Sequence, residues 1–113
     1  MPEPRYQLRL AIFYGYDQRT PMSNYSVNMS TGGLFIETVN PLTVDTPLLV
    51  EFMLPVKNKF ITCKARVAWV NAPGALIKPS LPPGMGIQFI DLSLENIQTI
   101  RKFLNEHDPK PIW

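Results

Sequence analysis

A chain of 113 residues is one domain long and leaves no room for a second. Its apolar fraction of 45% is enough to fill one core, and its 12 prolines are scattered, which signals many turns rather than disorder. A formal charge of +2 argues against the concentrated basic stripe that DNA or RNA binding needs, so any anion must be met by a few well-placed arginines.

Cys63 is the single cysteine, which excludes an internal disulfide and suggests a reducing compartment. No charged-then-apolar leader precedes the first strand, and no apolar run approaches the length of a membrane span. A cytoplasmic protein without membrane insertion is expected.

In chain order, Leu8, Leu10, Ile12 and Tyr14 alternate with Arg9, Ala11, Phe13 and Gly15, a period of two that predicts a strand with one face on a core. The polar stretch Tyr16 to Pro21 predicts a hairpin connection. An extended pattern resumes from Asn24 to Met29 and breaks at Ser30-Thr31-Gly32-Gly33. Leu34-Phe35-Ile36-Glu37-Thr38 then predicts a short strand rich in β-formers. Asn40-Pro41-Leu42 turns, and Leu48 to Leu54 is the next strand, stopped by Pro55. Lys57-Asn58-Lys59 turns into a long strand from Phe60 to Val70, with Ala65, Val67 and Trp69 expected on one face and Lys64 and Arg66 on the other. Residues 71–83 hold four prolines and one glycine and predict a long loop before the last strand, Met85 to Ile90.

Six short strands joined by turns, with no helix between them, predict an antiparallel barrel or sandwich. The period changes at Ser93, a natural N-cap, and Glu95 falls near the positive end of the helix that follows. Leu94, Ile97, Ile100 and Leu104 recur at helical spacing, and the helix is expected to end near Glu106. Pro109 and Pro111 would keep the last residues extended. The expected layout is therefore an arginine-bearing segment (1–9), a barrel (10–91), a helix (93–106) and an extended tail (107–113).

Chemistry of the catalytic kind finds no footing. His107 lacks the second histidine or carboxylate pattern of a metal ligand, and a solvated surface residue is its default. Cys63 lies on a strand without a neighbouring histidine, which suits a small core residue better than a nucleophile. The nine carboxylates are dispersed, with no acid–base spacing, and no phosphate-cradling glycine loop occurs. The chain has the features of a binding module rather than an enzyme, and no cofactor is expected.

Two features remain. In Val27-Asn28-Met29-Ser30-Thr31-Gly32-Gly33, Asn28 and Ser30 can bond neighbouring backbone and the glycines can supply positive φ, which suits a structural turn. The same short polar groups on a rigid turn can equally meet the edge of a base at small entropic cost. Upstream, Arg5 and Arg9 are planar multidentate donors, and residues four apart on an extended segment point to one side, so one anion could meet both. The plain alternative leaves Arg9 on the solvent face of the first strand.

Together these features resemble the PilZ domain family, whose signature is Arg-x-x-x-Arg followed about twenty residues later by (Asp/Asn)-x-Ser-x-x-Gly. Asn28, Ser30 and Gly33 match the second motif, and similarity extends through Gly33-Leu34-Phe35-Ile36-Glu37-Thr38, Ala65 to Val70 and Pro83 to Phe89. The resemblance implies a six-stranded antiparallel split barrel with a C-terminal helix. It also implies binding of the bacterial second messenger cyclic di-GMP, with the arginines on phosphate and guanine and the Asx and Ser residues on guanine and backbone. The implied ligand set is Arg5, Arg9, Asn28, Ser30, Gly32 and Gly33, with an arginine segment that is flexible until ligand orders it. The implied role is to relay messenger level to an unidentified partner protein governing motility, pili or biofilm, as a monomer or weak homodimer.

A second register is open. Pro-Arg before an aliphatic strand is common at the family's second arginine, and Pro4-Arg5 fits it, with the first arginine falling at Met1 and missing. The interval from Arg5 to Asn28 favours this register, and some relatives are adaptors that bind no nucleotide. For an adaptor, Tyr6, Phe13, Trp69 and Trp113 are the candidate contact residues, with a core position the default for Trp69.

Overall fold

Alternating apolar residues place one side of nearly every strand in a common interior. The computed structural model describes residues 4–16, 20–55 and 58–107. Among them are seven strands and one helix: β1 (Tyr6–Gln7), β2 (Ala11–Gly15), β3 (Met22–Ser30), β4 (Gly33–Glu37), β5 (Pro47–Leu54), β6 (Lys59–Asn71), β7 (Gly84–Asp91) and α1 (Leu94–His107). All pairings are antiparallel, in the order β1-β3-β2-β5-β6-β7-β4, and a β3–β4 pairing closes β2 to β7 into the expected six-stranded barrel.

Ile12, Met29, Leu34, Ile36, Val50, Phe52, Leu54, Ile61, Val67 and Met85 fill the interior with no exposed surface. Each such side chain contributes about 1.5–3 kcal/mol relative to exposure. Ser93 caps α1 by accepting the Asn96 N–H on its hydroxyl at 3.1 Å. The helix lays Ile100, Phe103 and Leu104 on the core and packs against β3. Leu94, expected on that apolar face, is 69% exposed, because the chain is only entering its first turn there.

The N-terminal segment is not wholly irregular. β1 pairs with β3 at Tyr6↔Met29 and Gln7↔Asn28, and β2 continues along the same edge from Ala11↔Tyr25. Between them the pairing slips by one residue. The Ser26 hydroxyl bridges this gap, donating to Leu8 O at 2.6 Å and accepting the Leu10 N–H at 2.9 Å. The predicted hairpin over 16–21 and the tail beyond His107 fall largely outside the described residues, and His107 itself closes α1 instead of opening the tail.

Two register shifts decide what faces outward. β3 carries an extra residue between Ser26 and Asn28 relative to β4. The alternation that sends Met22 and Ser26 inward would also send Asn28 and Ser30 inward. The extra residue reverses it, so Met29 enters the core and its neighbours turn out. β6 likewise carries an extra residue between Val67 and Trp69 relative to β7. Ala65 and Val67 are in the core as expected, but Trp69 is not on their face. The bulge turns it onto the outer wall, half-buried against the Phe35 ring at 5.3 Å.

Candidate functional site

One row of residues crosses four strands on the outer wall: Asn28 on β3 opposite Phe35 on β4, Phe35 opposite Gly86 on β7, and Gly86 opposite Trp69 on β6. Both bulges are needed to assemble it, since each delivers one end of the row. Gly86 has to lack a side chain, because a Cβ there would lie 2.0 Å from Trp69 Nε1. The indole lies directly on the strand.

Arg5 crosses this row from β1's end of the sheet. Its Nε donates to Asn28 Oδ1 at 2.8 Å, and Nη1 donates to Ser30 Oγ at 3.4 Å. The Gly32 N–H donates to the same Ser30 hydroxyl at 3.1 Å, which tightens the hairpin turn at Thr31-Gly32. The Gly32 carbonyl accepts the Phe89 N–H at 2.9 Å, tying that turn to β7.

Neither Gly32 nor Gly33 supplies the positive φ expected of them; among the described glycines that conformation belongs to Gly74, at φ 80°. Gly33 is instead required by a close approach, since a Cβ would lie 2.0 Å from the Ile87 carbonyl oxygen. Gly32 is exposed and has room for a methyl group.

A cleft of about 370 Å³ opens beside the row, lined by Arg5, Asn28, Phe35, Trp69, Lys78 and Gly86 among others. A second cleft of about 340 Å³ runs past Ser30, Gly32, Gly33 and Gln88 and shares Arg5, Trp69 and Gly86 with the first. Arg5, Asn28, Ser30, Gly32 and Gly33 are therefore brought together. Arg9 is not among them: it lies over the Tyr25 ring, with Cζ 4.1 Å from the centroid, on the solvent face of the barrel.

The far rim is the loop after β6, which sequence reasoning left without a role. Asn71, fully buried, holds it closed. Its Nδ2 donates to the carbonyls of Lys78 at 3.0 Å and Pro82 at 3.0 Å, and its Oδ1 accepts the Lys78 N–H at 2.9 Å. An asparagine followed by a loop rich in prolines was the available signal, because buried loop backbone needs such a partner.

Electrostatically the first cleft is one-sided. Among the described residues its ionisable lining groups are Arg5 and Lys78, and no described carboxylate lines it. Burial pulls the Arg5 guanidinium below its usual value, and the hydrogen-bond partners described for it are neutral. A desolvated cation with neutral partners favours an anion brought into contact with it. Beside it, half-buried Trp69 offers flat apolar surface, backed by the buried Phe35 ring.

A family model for the PilZ domain matches residues 2–106 of the chain. The chain belongs to the PilZ domain family. Solved PilZ structures share its fold at low identity. The PilZ domain of YcgR from Escherichia coli, solved with c-di-GMP, is 12% identical at a TM-score of 0.66, over 90% of this chain and 86% of that one. The inhibitor of motility MotI/DgrA from Bacillus subtilis is 17% identical at a TM-score of 0.71 over 94% of this chain. This PilZ domain spans only 52% of the MotI/DgrA chain. The PilZ domain of CeSA from a cellulose-synthesizing bacterium is 16% identical at a TM-score of 0.55, over 87% and 91% of the two chains. No curated protein matches the sequence. Among the described residues of this PilZ domain, no helix is long and apolar enough to cross a membrane.

Proposed function

We propose that this PilZ domain is a cyclic di-GMP receptor that relays messenger level to a partner protein controlling motility, pili or biofilm. The observation that carries the reading is the placement of Arg5, bonded to Asn28 and Ser30 over a cleft whose charged lining groups, among the described residues, are both cations. A phosphate meeting Arg5 would gain charge-assisted hydrogen bonds, and the polar edges of Asn28 and Ser30 suit a purine. The half-buried Trp69 indole is an available stacking surface. The YcgR domain of the same fold carries this ligand.

Calorimetric titration of the chain with cyclic di-GMP tests the reading. Saturable heat with a dissociation constant in the micromolar range or tighter is expected, and no heat at tens of micromolar protein would reject it.

A second reading, a PilZ-fold adaptor without nucleotide, draws on Arg9. With that side chain on Tyr25, Arg5 is the one arginine of the two at the cleft. Outward-facing Phe13 and Tyr25 would then be contact surface. Co-purification of a partner whose affinity ignores added cyclic di-GMP would favour this reading.

A further inference from the structure

The cleft offers one arginine where the sequence suggested two, yet it carries a second positive charge that no sequence motif marks. We infer that Lys78, on the loop after β6, is the second phosphate-binding cation of this site. The inference rests on the receptor reading above.

Lys78 lines the same cleft as Arg5 and Asn28, although it lies on the opposite rim and 73 positions later in the chain (78 − 5). Its backbone is fixed at both its N–H and its carbonyl by one buried side chain. Asn71 accepts its N–H at 2.9 Å and donates to its carbonyl at 3.0 Å. Leu81 N–H bonds to the same carbonyl at 3.1 Å, closing a turn. A loop with four prolines adds stiffness, so the base of this lysine is held in place.

Among the described residues the charge also has no ion-pair partner. The ion pairs between described residues are Lys59–Glu95 and Arg66–Asp45, and neither involves Lys78. A compact ammonium on a flexible stem suits a phosphate approached from one side, whereas the planar Arg5 fork suits the other. A ligand with two phosphates, held between rims that each supply one cation, fits this arrangement. A ligand carrying its charge on one end does not use both rims.

The test titrates cyclic di-GMP into the full chain, as wild type and as Lys78→Gln, Lys78→Arg and Lys102→Gln, at low and high salt. Lys78→Gln is expected to weaken binding about tenfold at low salt, with Lys78→Arg and the helix control Lys102→Gln near wild type. The wild-type and Lys78→Gln affinities should converge as salt rises, because the lost contribution is a screened charge. Unliganded melting temperatures should agree across the set, which separates a charge role from a structural one. Lys78→Gln binding as tightly as wild type at low salt overturns the inference and leaves the receptor reading standing. Absence of binding by wild type overturns both.

Discussion

Arg5 and Arg9 are four residues apart, and the chain between them slips by one residue where Ser26 bridges Leu8 and Leu10. The two arginines have different settings. Arg5 meets Asn28 and Ser30, while Arg9 rests on Tyr25, a contact worth roughly 0.5–1 kcal/mol when exposed. In titrations with cyclic di-GMP, Arg5→Ala is expected to weaken binding roughly 10- to 100-fold and Arg9→Ala less than about threefold. Equal losses for the two variants would return Arg9 to the site. A solvent-facing Arg9 was one of the two placements the sequence left open, because a period of two can send it outward. The contact that holds Arg9 away from Arg5 was not legible, since its partner, Tyr25, lies 16 residues further along the chain (25 − 9).

Two further side chains give residue-scale tests. Burial, with a smaller contribution from Asp91, pushes the Cys63 thiol from 9.0 up to about 12. The folded chain keeps a proton that the unfolded chain releases, so this thiol's contribution to stability is complete below pH 9 and declines as pH rises toward 12. At pH 8 the native thiol should resist Ellman's reagent, with reactivity appearing only as urea unfolds the chain. Asn71→Ala removes the partner of buried loop carbonyls and should cost about 1–3 kcal/mol in urea unfolding. Amide exchange at Lys78 should accelerate with it, since its N–H loses the Asn71 acceptor.

At the scale of elements, five of the six barrel strands were predictable from the sequence pattern to within two residues, because each buries one face, while the first, expected from Leu8, begins at Ala11. Alternation predicts facing only while the pleat is unbroken. Between Ser26 and Asn28, and again between Val67 and Trp69, one extra residue reverses it. Trp69 is therefore misread as core from its spacing to Ala65 and Val67, although its type and position are correct. An isolated strand shows no bulge; the extra residue exists only relative to a partner. The glycines tell the same story. Gly33 reads locally as a turn residue, but its requirement comes from Ile87 on a strand that the sequence places far away. Gly33→Ala should force β4 from β7, costing about 1–3 kcal/mol and lowering the melting temperature by several degrees, whereas Gly32→Ala should be nearly silent. A melting curve for Gly33→Ala matching wild type would contradict the close approach.

For the molecule as a whole, the barrel is a closed wall with the cleft outside it, so the site adds no cavity to the core and costs the fold little. Ligand that binds only the folded chain stabilises it by mass action. Cyclic di-GMP at a hundred times its dissociation constant should add about 2.7 kcal/mol, a rise in melting temperature of roughly 10 °C for a domain of this size. Thermal melts with and without nucleotide check this, and guanosine at equal concentration should give a much smaller shift.

Tyr6, the residue after Arg5, is packed in the core and donates its hydroxyl to Asn105 of α1 at 3.3 Å. Adjacent residues of β1's entry thus report to different places, one to the cleft and the next to the helix. A pull on Arg5 that shifted Tyr6 would reach Asn105 through this hydrogen bond, and the reverse would hold as well. Whatever factor nucleotide imposes on the affinity of a protein that grips this end of α1, that protein must impose on the nucleotide. A partner would then act as an effector of the receptor as much as its audience.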